Sequence, residues 1–271
     1  MTPCPGNIYN RKLTMAARKI FKYVMYDILR SKLIISYTIL LFAISFGIIY
    51  TGKDVSKAVV SLLNIVILIV PLISIIFGTI HFYNSREFME MMLAMPVKRK
   101  EIFWAEYLAL SSALSLGFII GVGTPLIIYG ASLTSIYLLA AGVLLSFIFT
   151  ALSFLSSVIN KDKARGIGTS LIIWFYLSII FDALVLVVYF FFNDYPLEKV
   201  TLVLAALNPV DLARIMILLK LDISALMGYT GATLQQFFGS GFGTLFSFGF
   251  LFLWTIVPAL LALRVFNRKN F

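Results

Sequence analysis

The sequence predicts an all-α integral membrane protein with six transmembrane helices, cytoplasmic N- and C-termini and an N-terminal amphipathic interfacial helix. Three observations predict it. The 271 residues are 61% hydrophobic and 13% charged, with a mean hydropathy of +1.00, whereas a water-solvated domain is roughly half apolar and a quarter charged. The apolar residues arrive in long blocks, and in hydrocarbon each backbone group must be satisfied within its own segment, so the blocks read as spanning helices. The alternating pattern of a membrane β-barrel is absent. Finally, the basic residues are sorted between the connections: seventeen Lys and Arg fall on one side of the blocks and five on the other. That bias places both ends in the cytoplasm, in agreement with an even number of spans.

The six spans are Leu33 to Tyr50, Ala58 to Ile80, Tyr107 to Gly130, Ser135 to Val158, Ile167 to Phe192 and Thr244 to Leu263. Residues 1–32 precede them and 33–271 form the transmembrane domain. Within 1–32, Ile20, Val24 and Ile28 share a face with Phe21, Met25 and Leu29, while Lys19, Lys22, Tyr23, Tyr26 and Arg30 share the other. This three-and-four spacing makes an amphipathic helix for the membrane surface, and a basic topology anchor fits the same residues. No cleaved signal peptide is expected, and Met15 is an alternative start to Met1.

Two connections stand out. Residues 84–101, NSREFMEMMLAMPVKRKE, read as a short helix with Glu87 and Glu90 on its wet side and Phe88, Met91, Met92 and Met95 available to a groove. Pro96 ends it and a basic run follows. Such a helix suits a lever worked by a soluble partner; an ordinary interfacial turn fits as well. The outer connection, 193–243, contains Asn208 and Pro209 as the cap and first turn of a helix running to about Leu219. Glycines and aromatics follow, Tyr229 among them, as a packed lid, a partner-docking surface or a plain connector.

Candidates for chemistry are few. There is no G-x-x-x-x-G-K-[ST] phosphate loop, one histidine (His81) and one cysteine (Cys4), so no catalytic, metal-binding or cofactor-binding set is expected. The methionines read as gap fillers in helix packing. Asp182 is the one acid well inside a predicted span. An ionisable group there is a functional candidate that can bind a cation, relay a proton or pair with Arg214 or Lys220, and pairing is the simplest of these. Pro71, Pro125 and Pro258 are candidate kinks, and Gly117 and Gly121 make one small-residue face for close helix contact.

The layout resembles the permeases of type-two ABC exporters: an amphipathic elbow, six spans with both ends inside, and a second connection reading LAMPVKRKEIFWAEYL. In that family the pattern of Leu93, Pro96, Arg99 and Glu101 lies just after a coupling helix that docks on a separate ATPase subunit. A narrower resemblance, carried by WFYLSIIFDALVLV at 174–187 and LNPVDLARIMILLKLDISALMGYTGA at 207–232, is to the permeases of ABC complexes that mature nitrous oxide reductase, a periplasmic copper enzyme. It implies that Asp182 matches an acid of the fifth span and that Asn208, Pro209 and Asp211 match an outer-loop motif, which with Arg214 and Tyr229 makes the candidate partner-docking set. The implied partners are an ATPase subunit holding the ATP and Mg, and a periplasmic β-helix protein. A homodimer in the bacterial inner membrane is expected, with no nucleic acid. The glycine-rich outer loop is longer than that pattern. Export of another small solute, lipid, drug or peptide, and ion-coupled transport through Asp182, remain open beside it.

Overall fold

The computed structural model describes residues 19–51, 55–94, 97–129, 132–191, 198–218 and 241–268, and every regular element among them is helical. Helix α1 (19–29) buries Val24 and Ile28 against the bundle and exposes Lys19, Lys22, Tyr23 and Tyr26. Arg30 lies over the Tyr26 ring, 5.2 Å from its centre. A two-residue break, Arg30 and Ser31, separates α1 from the next helix. Ser31 Oγ then accepts the Ile34 N–H at 3.4 Å and opens α2 (Lys32–Thr51), which is the first span.

The second span is α3 (Val55–Asn84), which carries Pro71 inside it. Helix α4 (Arg86–Leu93) is the short helix expected from NSREFMEMML, and it ends in a turn at Ala94. Helix α5 (Arg99–Phe118), a π turn (Ile119–Gly123) and α6 (Thr124–Tyr129) run together as the third span. This span starts eight residues before the predicted Tyr107. Lys100, Glu101 and Glu106 lower the hydropathy of its first two turns, yet the helix begins at Arg99 and does not break at a charge. The fourth span, α7 (Leu133–Ile159), opens with Ser132 Oγ accepting the Ser135 N–H at 3.2 Å.

The fifth span joins α8 (Lys163–Phe175), a second π turn (Tyr176–Ile180) and α9 (Phe181–Phe191). Beyond it lie α10 (Glu198–Leu207), which the sequence did not predict, and α11 (Pro209–Leu218), which it did. The sixth span is α12 (Gly241–Arg268), with Pro258 inside it. Among the described residues six helices are thus long and apolar enough to cross a membrane, as predicted.

Helix α7 is the centre of the bundle, packed on α3, α5, α8, α11 and α12. Two thirds of its span is buried against one sixth for the fifth span, which leaves the fifth with an outward apolar side. The glycine face of the third span does what small residues allow. A Cβ on Gly121 would lie 2.8 Å from Leu41 Cβ and 3.0 Å from Thr38 O, so the backbones of the first and third spans meet there.

Candidate functional site

The end of the bundle where the fifth span meets α11 holds a half-buried ionic cluster. Asp182 follows the π turn of the fifth span, about 28 Å along from Lys163 at 1.5 Å per residue. Helix α11, between the fifth and sixth spans, sinks Pro209, Val210, Asp211, Leu212 and Ala213 into the bundle, against α7, α12 and the π turn. Arg214 bridges the two helices: its Nη1 donates to Asp182 Oδ2 at 2.6 Å and to Asp211 Oδ1 at 3.3 Å. Asn208, fully buried, ties three pieces together. Its Nδ2 donates to Leu177 O inside the π turn at 2.8 Å and to Asp211 Oδ2 at 3.2 Å, while its Oδ1 caps α11 by accepting the Val210 N–H at 3.0 Å. A π turn loosens the ordinary helical ladder, and here one of its carbonyls is taken up by the neighbouring helix.

Burial pushes the Asp211 carboxyl up to about 7, helped by its hydrogen bond with Asp182 and by the Asp182 charge, against the opposing pull of Arg214 and Asn208. With both carboxylates ionised the trio carries one excess negative charge. A proton on Asp211 removes it, and Asp182 Oδ1 has no hydrogen-bond partner among the described residues.

The opposite end centres on α4. Met91 stands outward, 62% exposed, with Glu87 and Glu90 beside it, and Glu90 pairs with Arg86 at 2.9 Å. Met92, 7% exposed, and Met89 turn inward. Phe88 is half-buried and stacks on Tyr23 of α1 at 6.3 Å between ring centres. Beneath α4 lies a pair that reading the sequence missed. Glu106, 1% exposed, holds His81 Nε2 at 2.9 Å, and Ser85 Oγ lies 3.4 Å from the same nitrogen. Glu106 was hidden because the third span was expected to begin one residue after it. The available signal was the unbroken helical pattern from Arg99.

A match to the family model described as ABC-2 family transporter protein covers residues 18–271. The chain belongs to that family. It is also 23% identical over 223 residues to a protein of Pseudomonas aeruginosa described as a probable ABC transporter permease protein NosY, across 74% of this chain and 81% of that one. The chain is therefore an ABC-2 permease and a multi-pass membrane protein, and an ATPase partner subunit is implied by the family.

On this ABC-2 permease the predicted residues fall into three groups. Asp182 pairs with Arg214, as the scarcity of other acids in the spans suggested. Asn208, Pro209 and Asp211, which with Arg214 are the candidates for partner docking, are buried within this chain. Their side chains anchor α11, because a cap, a proline first turn and an acid aimed at Arg214 all point back into the bundle. Of the groove-facing set on α4, Met91 reaches the surface and Met92 does not, since neighbouring helical residues point about 100° apart. Arg99 and Glu101 open α5, with the Glu101 N–H donating to Lys98 O at 2.9 Å. Met95, Pro96 and Tyr229 lie outside the described residues.

Proposed function

We propose that this permease works as a homodimer with a separate ATPase in the bacterial inner membrane, with both termini in the cytoplasm. We propose further that ATP hydrolysis in the partner serves copper-site maturation of periplasmic nitrous oxide reductase, through a periplasmic β-helix protein. The permease itself binds no ATP and performs no catalysis. The observation that carries this reading is the likeness to NosY over 74% of the chain, which adds to the resemblance of the 174–187 and 207–232 segments to the maturation permeases.

The mechanism is mechanical. The ATPase docks on α4 through the outward side that bears Glu87, Glu90 and Met91. Closure of the ATPase pair shifts α4 and rocks the second and third spans, which it joins. At the outer end the Asp182–Arg214–Asp211 bridge makes α11 move with the fifth span, and α10 and the outer connection carry that motion to the periplasmic partner. The 17-to-5 bias of basic residues supports the orientation, because the basic connections include α4.

A mild-detergent pull-down of the tagged chain, with mass spectrometry of what accompanies it, tests the reading. Recovery of an ATPase together with a β-helix protein is the expected result. An ATPase alone would favour export of another small solute, lipid, drug or peptide.

A further inference from the structure

Two recesses adjoin between α1, α2 and α3. One is a cavity of about 400 Å³ whose polar lining includes Asp27, Ser31, His81, Ser85 and Glu106. The other is a groove of about 320 Å³ along α2 and α3, lined almost wholly by apolar side chains such as Leu40, Ile73 and Ile76. Leu33, Phe77 and Ile80 line both, so the polar chamber opens onto the apolar groove. The polar end is built for a cation. Glu106 spends Oε2 on His81, and its Oε1, buried, has no hydrogen-bond partner among the described residues. Asp27 adds a second carboxylate, and no Lys or Arg is among the lining residues. Ser31 and Leu33, at the start of α2, also face the chamber. They bring the positive end of the α2 dipole close to the two acids, with the Ile34 N–H there held by Ser31 Oγ.

A ligand matching this recess has a compact hydrogen-bonding cation, an anion one or two bonds away from it, and a hydrocarbon chain. We propose that the recess holds a single phospholipid with a primary ammonium headgroup, of the phosphatidylethanolamine class. The ammonium donates to Glu106 Oε1 and faces Asp27, the phosphate sits at the start of α2, and one acyl chain follows the α2–α3 groove. A quaternary ammonium has no N–H to give Glu106, and an anionic headgroup meets two carboxylates, so both fit less well. The lipid bridges α1, α3 and α5 directly beneath α4, and so braces the base of the helix that faces the ATPase. This inference rests on the family placement in a membrane and not on the maturation reading, so a pull-down without a β-helix protein leaves it standing.

The test uses the full chain with its ATPase partner, purified in mild detergent and stripped of lipid. Phosphatidylethanolamine, phosphatidylcholine or phosphatidylglycerol is then added, and bound lipid is counted by native mass spectrometry. The expected result is one phosphatidylethanolamine retained per permease chain, with an apparent affinity about tenfold or more above the other two lipids. Glu106→Gln should remove that preference. Asp27→Asn at the exposed mouth and Ile76→Trp in the groove should each weaken phosphatidylethanolamine retention, and they decide the matter if Glu106→Gln does not fold. Soluble glycerophosphoethanolamine should not compete. Equal retention of the three lipids, an unchanged preference in the folded variants, or full competition by glycerophosphoethanolamine would overturn the proposal.

Discussion

The bundle buries acids at both ends and neutralises them differently. Where the fifth span meets α11, Asp182 and Asp211 share one guanidinium, a permanent charge, between two helices. Beneath α4, Glu106 faces His81, a side chain that is charged only when protonated, and keeps one oxygen unpartnered. A permanent cation between two carboxylates makes a tie, because losing any member strands a buried charge. A titratable partner and a spare acceptor make a place where something else can bind. The arginine cluster therefore holds α11 to the fifth span, and the Glu106–His81 pair leaves room at the root of α4.

The largest effect that separates the two ends is expected for Arg214→Ala. It strands two carboxylates and should cost about 3 kcal/mol, at the low end for a broken buried pair because the arginine is partly exposed. Thermal unfolding in detergent reads it. Arg214→Lys should recover only part, since a point charge lacks the planar fork. A loss for Glu106→Ala as large as that for Arg214→Ala would erase the distinction between tie and binding place. The expected cost of Glu106→Ala is about 1–2 kcal/mol, the cost of a lost buried hydrogen bond.

The two methionines of α4 sharpen the picture at the inner end. Met92→Asp should destabilise the protein, because it places a charge where the side chain is buried. Met91→Asp should leave the melting temperature unchanged and abolish ATPase recovery in the pull-down. Normal recovery would remove α4 as the docking helix.

A further difference between the two ends is a pH slope. The Asp211 carboxyl rises from 3.8 to about 7 on folding. The folded state then binds more protons than the unfolded one between those values. Its contribution to stability is complete below the unfolded value and is lost as pH rises toward the folded one. Melting temperatures of the wild type should therefore fall across that window relative to Asp211→Asn, and parallel curves would contradict the assignment.

The spans were legible because each is a run of about 20 apolar residues that needs no tertiary information to recognise. The Asp182–Arg214 pair was legible for a related reason, since an acid so deep in a span requires a partner and few bases lie on its side. Asn208 and Pro209 marked the start of α11 through cap chemistry, but a cap specifies where a helix begins and not whether it lies on the surface. The burial of α11 is accordingly a tertiary property that its cap does not carry. Glu106 was lost to the same smoothing that finds spans, because two polar turns at the start of α5 look like loop. The π turns leave no trace in hydropathy, and Met91 and Met92, adjacent in sequence, differ only in which way their helix faces.

The central claim is that the outer bridge makes α11 and α10 follow the rest of the bundle when the ATPase closes. It is tested by a spin label at Val203→Cys on exposed α10 in a Cys4→Ser background, in the complex reconstituted with its ATPase. Trapping the ATPase with ATP and vanadate should change the mobility of the label, and a folded Arg214→Lys variant should show a much smaller change. A label indifferent to nucleotide in the otherwise wild-type complex, or one that responds equally when Arg214 is replaced, would contradict the account.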